Sequence, residues 1–162
     1  MSNIDLDKGG RQPQVVNTYL GPTKGWTQTD SPVDIEWGIE GGGVLIPAGV
    51  KPPIISPDWL IINSWVILGR ETGSVTFDIW KVTQDEYIAG TIPSAANSIC
   101  GSAKPQVTNA KSGLSSTLTG WTTRISQNDV LVLNVDSVST FLGVSLILKC
   151  SRCIGQWSAP LT

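Results

Sequence analysis

Apolar and polar residues alternate with period two in several windows, the spacing of a strand with one buried face. Val33-Asp34-Ile35-Glu36-Trp37 is the first. Ser74–Lys81 repeats it, with Val75, Phe77 and Ile79 on one side and Thr76, Asp78 and Trp80 on the other. Ser139–Cys150 is the longest: Leu142, Val144, Leu146, Leu148 and Cys150 share a face, opposite Phe141, Gly143, Ser145, Ile147 and Lys149. Trp59–Leu68 is apolar nearly throughout and predicts a strand buried on both faces. Arg70-Glu71-Thr72-Gly73 predicts a turn, so Trp59–Leu68 and Ser74–Val82 are expected to form a hairpin. Val130–Val135 follows a turn at Asn128-Asp129, and Leu118–Ile125 predicts a further strand. Val44–Ile46 is a short extended piece ending at Pro47, and the prolines of Val50–Pro57 predict an extended loop or an edge.

Thr83–Ser116 is the longest polar stretch and predicts a long loop with a helical turn at Ala95–Gly101. No window sustains a helical period. Seven or eight strands separated by Gly and Pro predict an all-β fold, an antiparallel β-sandwich of jelly-roll type. Met1–Asp30 differs, with Gly9-Gly10, Pro13, Gly21-Pro22 and Gly25, and only Val15–Leu20 reads as extended. The expected division is an extended N-terminal arm over residues 1–30 and a sandwich domain over residues 31–162.

Charge narrows the partners. Charged residues make up 15% and the net charge is −2, which gives no strong drive toward nucleic acid or an anionic membrane. Neither is an expected partner. Trp59–Leu68 is too short for a membrane helix, which needs about 20 residues. No basic start is followed by an apolar run, so no secretory signal is predicted, and the expected setting is soluble and reducing.

Histidine is absent from the sequence. That excludes Ser-His-Asp and Cys-His nucleophile activation within one chain, and every histidine-bearing metal site. Cys100, Cys150 and Cys153 are odd in number, unlike a secreted disulfide framework. Cys150-Ser151-Arg152-Cys153 has the C-x-x-C spacing, but it ends a predicted strand and has no second pair to complete a zinc site. Two ordinary thiols, or one oxidised pair, is the preferred reading. Asp34 with Glu36, and Asp85 with Glu86, could bind a hard cation or do acid–base work, yet neither has a ligand loop around it. Gly41-Gly42-Gly43 lacks the residues of a phosphate-binding loop and reads as a turn. No cofactor, metal or catalytic residue is assigned. Trp59 and Trp65 fall in the apolar strand and are expected in the core. Trp26, Trp37 and Trp157 lie outside the densest strands and, with Val15 and Tyr19 of the arm, are the candidate partner contacts.

From Gly73-Ser74-Val75-Thr76-Phe77-Asp78-Ile79-Trp80-Lys81 onward a broader pattern emerges. It continues through Asn97-Ser98-Ile99, Ala103-Lys104-Pro105 and Leu118-Thr119-Gly120-Trp121-Thr122, then Asn128-Asp129-Val130-Leu131, Asn134-Val135-Asp136-Ser137 and Val144–Lys149. Over residues 54–150 this resembles a β-sandwich module of virion structural proteins in tailed bacteriophages, found in head decoration, head-fibre and tail proteins. Asn128 stands where the pattern would carry glycine; asparagine tolerates the same left-handed backbone. The resemblance implies a non-enzymatic virion protein, assembled in the bacterial host cytoplasm and usually trimeric. With a single module and an arm, a capsid decoration or cement protein is expected, with the major capsid protein or another virion protein as partner. The arm is expected to pair an extended piece near Val15–Tyr19 with a neighbouring sheet edge. The alternatives are a tail or fibre tip that binds a host receptor or glycan, and a hydrolase using Asp34 and Glu36.

Overall fold

The structure is a computed structural model that describes residues 27–154. The strands are β1 (Thr27–Pro32), β2 (Ile35–Glu40), β3 (Gly49–Val50), β4 (Ile54–Ile55), β5 (Leu60–Val82), β6 (Gln106–Ser115), β7 (Arg124–Ile125), β8 (Val130–Ser139) and β9 (Gly143–Ile154). A short helix, α1 (Gln84–Ile88), and a single 3-10 turn (Ala95–Asn97) lie between β5 and β6. The fold is all-β, and the strands join one antiparallel sheet in the order β1-β9-β5-β8-β3. Along this path β2 pairs with β9, β4 with β8, and both β6 and β7 with β5.

β5 holds the sheet together. Its first part pairs with β9 and with the end of β6, its second with β8 and the start of β6. The predicted hairpin is therefore corrected: Leu60–Val82 is one strand of 23 residues, and its two parts do not pair with each other. Arg70-Glu71-Thr72-Gly73 carries turn-like residues, yet neither Gly69 nor Gly73 has a positive φ. They are small because Phe141 is there. A Cβ on Gly69 would overlap the Phe141 ring, and one on Gly73 would lie 2.9 Å from that ring and 2.6 Å from Thr140 Oγ1. Phe141 is fully buried. The chain between β8 and β9 is pinned over this crossing: Leu142 N–H donates to the Glu71 carboxylate at 3.1 Å, and Thr140 Oγ1 donates to Thr72 O at 2.9 Å.

Both parts of β5 face one core. Ile62, Trp65 and Ile67 from the first join Val75, Phe77 and Ile79 from the second in a single cluster with Leu131, Leu133, Leu146 and Leu148. β6 follows the same bend, since a Cβ on Gly113 near its end would lie 2.5 Å from Val107 near its start.

The period-two reading of β2 holds, and that of β9 holds from Gly143 on; Ser139 instead ends β8, and Phe141, read on the polar side, is fully buried. Ile35, Trp37 and Ile39 are buried while Glu36, Gly38 and Glu40 are exposed, and Val144, Leu146 and Leu148 point inward. Asn128 has φ 73°, the left-handed backbone expected of it. Other expectations are corrected. Leu60–Leu68 is not buried on both faces, because Asn63 and Leu68 are exposed; Phe77–Trp80 is the stretch buried throughout. β6 lies inside the predicted loop; Val107 is its one buried residue, so it shows no alternation. Leu118–Ile125 contributes only β7, and Val44–Ile46 forms no strand. β1 takes Thr27–Asp30, the last residues of the predicted arm, into the sheet.

Gly69→Ala should cost about 1–3 kcal/mol by overpacking, and Phe141→Ala about 3–5 kcal/mol. The two should not add, because removing the ring frees the space that the new methyl needs. Urea denaturation of the single and double variants checks this; strict additivity would show that the glycine does not serve the ring.

Candidate functional site

The alternation of β5 turns Asp78 and Trp80 away from the core, where an open sheet face would leave them in water. Instead Asp78 is 1% exposed. The segment between the 3-10 turn and β6 covers them. It lies along the edge of β5 beyond β6, with Ile99 N–H donating to Ile79 O and Phe77 N–H donating to Pro105 O, both at 2.9 Å. Ser94 and Asn97 close a capping box around the turn that starts it.

Under this cover the carboxylate of Asp78 accepts from Trp80 Nε1 at 2.9 Å and from Ser98 Oγ at 2.5 Å, and pairs with Lys104 Nζ at 3.2 Å. Lys104 also reaches Asp136 on β8 at 2.6 Å, and Asn134 Nδ2 donates to the same carboxylate. The hydrogen bond to Asp136, then the contact with Asp78, outweighs desolvation and raises the Lys104 pKa above its ordinary value. Behind it, Trp121 Nε1 donates to Ala103 O at 2.8 Å. Gly101, at φ 57°, meets the backbone of Gly120 so closely that a Cβ would lie 2.8 Å from its carbonyl oxygen. A second buried carboxylate, Asp129, pairs with Lys81 at 3.0 Å and accepts from Ser126 N–H at 2.8 Å.

These are the residues that carry the resemblance: Asp78, Trp80, Lys81, Ser98, Lys104, Trp121, Asp129, Asn134 and Asp136. The structure gathers most of them into one latch that fastens loops to the sheet. Buried charges need partners and hydrogen bonds, and here both are supplied. The pairing leaves Asp78 and Lys104 occupied with each other, so the arrangement fixes the conformation of the loop on the sheet.

The other sequence candidates fall apart in space or into the core. Trp37 is 6% exposed and belongs to the core cluster, not to the outer surface. Its Nε1 is buried with no hydrogen-bond partner among the described residues. Val15, Tyr19, Trp26 and Trp157 lie outside the described residues. Asp34 pairs with Lys149 at 2.5 Å, and Glu36 is exposed. Glu86 closes the capping box of α1 with Thr83, whose backbone and hydroxyl hydrogen bonds lower its pKa. Among the described residues no three His, Cys, Asp or Glu side chains come together to hold a metal ion, and no helix is long and apolar enough to cross a membrane. All three cysteines are free and buried. Burial pushes the Cys100 and Cys150 thiols up to about 12, and raises Cys153 as well.

One surface was not singled out from the sequence. Tyr87, Ile88 and Ile92 project around α1, with Ile88 74% and Ile92 84% exposed. A shallow apolar depression beside them is lined by Pro53, Ile54, Ile55 and Val130, and a second one, between Tyr87 and Pro93, shares Tyr87 with it. The signal available was three large apolar residues inside a polar stretch that no strand pattern claimed. Comparison of the chain with protein-family models, curated proteins and solved structures found no match.

Asp78→Ala should lower stability by roughly 3–5 kcal/mol, since it strands Trp80 Nε1 and one contact of Lys104. Asp136→Ala, on an exposed residue, should cost under about 1 kcal/mol. Chemical denaturation checks the contrast; equal losses would mean that Asp78 is not the centre of the latch. For the thiols the sign runs one way. An unfolded thiol ionises near 9.0 while folded Cys100 and Cys150 hold their protons to about 12, so their contribution is full below pH 9 and lost as pH rises above it. The raised Lys104 acts in the same direction. Melting temperature should therefore fall on the alkaline side, and native protein at neutral pH should resist thiol reagents until unfolded.

Proposed function

We propose that this chain is a non-enzymatic structural protein of a tailed-bacteriophage virion, a capsid decoration or cement protein that trimerises on the shell. On this reading the folded sheet is a two-layered, jelly-roll-like sandwich. The observation that carries it is the pairing of two features in one fold. The residues of the phage-module resemblance serve as an internal latch, and the outside presents an apolar face at Ile55, Tyr87, Ile88 and Ile92. Exposed apolar patches of this kind mark contact surfaces between proteins. Aromatic and aliphatic anchors suit association that repeats at symmetric positions on a shell, where each contact stabilises the assembly by mass action. The arm ahead of β1 extends that contact area.

Two measurements test the reading. Gold-labelled antibody against the chain should decorate the heads of intact particles; label confined to tail tips supports the receptor-binding alternative, and unlabelled particles overturn both. In solution the wild-type mass should be that of a trimer, and Ile88→Asp with Ile92→Asp should yield a folded monomer. A trimer that survives both substitutions places the interface elsewhere.

A further inference from the structure

Three stretches of chain make the apolar surface beside α1: β4 with Ile54 and Ile55, the helix with Tyr87 and Ile88, and the start of β8 with Val130. Each stretch begins or ends within a few residues of one buried group, the carboxylate of Asp129. Asp129 stands immediately before Val130, and Ser56 immediately after Ile55. Lys81 stands two residues ahead of Thr83, the N-cap of α1.

Asp129 is 4% exposed. Its carboxylate receives Lys81 Nζ at 3.0 Å and Ser126 N–H at 2.8 Å. Its own N–H donates to Ser126 O at 3.0 Å, so the turn from Ser126 to Asp129 is closed twice around the left-handed Asn128. Its carbonyl oxygen accepts from Ser56 N–H at 2.8 Å, and Asn128 N–H donates to Ser56 O at 3.0 Å. Ser56 is fully buried, and its hydroxyl donates to Asp58 O at 3.0 Å. The turn, the chain leaving β4 and the end of β5 therefore meet at Asp129.

The elements tied there have little else to fix them. α1 has no buried residue of its own, so core burial does not set its place. Its position follows from the strand end it leaves and from the Thr83–Glu86 capping box. β4 is two residues long and pairs with β8 only at Ile54 and Ile55. Elements with few buried contacts and few ladder hydrogen bonds open at low local cost. A buried carboxylate stays in place only while its cation and hydrogen bonds do; without the cation it is drawn toward water.

We propose that the Lys81–Asp129 pair is the positioning element of the contact surface: it fixes α1, β4 and the start of β8 relative to one another, so that Ile55, Tyr87, Ile88 and Val130 present one preformed face. Neither member of the pair lines that face. The inference rests on the reading of the face as an interface between proteins. Preformation matters because only molecules with the face in place can associate, and the apparent affinity falls with their fraction.

Lys81→Met keeps the aliphatic stem and removes the charge. Amide exchange of the full chain at Ser56 and Asn128 should then accelerate about tenfold or more, while amides of the β9–β5 ladder keep their wild-type rates. The methyl resonances of Ile55 and Ile88 should shift together. Lys81→Arg, which keeps the cation, should restore both readouts. Lys104→Met, which removes the cation from the other buried carboxylate, should leave both unchanged. Self-association, followed by sedimentation over a concentration series, should weaken about tenfold or more in Lys81→Met and recover in Lys81→Arg. Uniform acceleration across the sheet overturns the proposal, because the pair would then be a general stabiliser; so does the absence of any local change. Local loosening with association unchanged overturns it as well. The interface reading fails separately, if wild type does not associate or if association survives Ile88→Asp with Ile92→Asp; exchange and methyl shifts then still decide whether the pair positions the face.

Discussion

The folded sheet depends on one contact, the Phe141 ring against Gly69 and Gly73. β5 must cross from its β9 side to its β8 side without reversing, and the inner surface of that crossing must be filled. Any side chain at either glycine would meet the ring or its neighbours. A smaller residue at Phe141 would leave the corner empty, at a cost that grows with the cavity. The Glu71 and Thr72 contacts to the β8–β9 connection hold the ring in place from outside. Once the crossing is fixed, the apolar sides of both parts of β5 are committed to one core, and β6, β8 and β9 have their positions set by pairing with it.

The outer side of β5 follows from the same commitment. With Phe77 and Ile79 inward, Asp78 and Trp80 must face outward, and a carboxylate beside an indole is stable there only in water or under a fully paired cover. The loop from Ser98 to Pro105 supplies that cover with Ser98 and Lys104. Replacing the whole latch by apolar residues of similar shape could leave stability near its present level, as for buried ion pairs generally. Its use is better understood as orientation: it sets where the loop lies, and hence the surface that the molecule offers.

Sequence pattern and structure agree where a strand has one wet face. β2 and β9 were legible because Ile35, Trp37 and Ile39, or Val144, Leu146 and Leu148, recur at every second residue. β6 was not, since its bend and edge position bury only Val107. The crossing of β5 was misread because Gly69, Arg70 and Gly73 have turn composition, and composition does not distinguish a glycine needed for φ from one needed for space. The members of the latch were all named among the residues of the resemblance. Their partnership was not legible, because Asp78, Ser98, Lys104 and Asp136 meet through loops whose path no periodicity encodes. Trp37 was placed outside the core for a related reason: its strand is short and flanked by loops, while its burial comes from distant segments.

Among the described residues β2 and β6 each pair along one edge only, and the two differ in how the other edge is built. An exposed edge invites pairing with other chains unless it is blunted. β6 is blunted: its register with β5 breaks on both sides of Gly73, Asn109 takes φ 49°, and Lys111 stands exposed between them. β2 keeps a regular register and carries its charge as the exposed carboxylates of Glu36 and Glu40. Its centre is Gly38, where a Cβ would meet only Ser145 Oγ at 3.9 Å, and the Trp37 indole N–H beside it has no partner among the described residues.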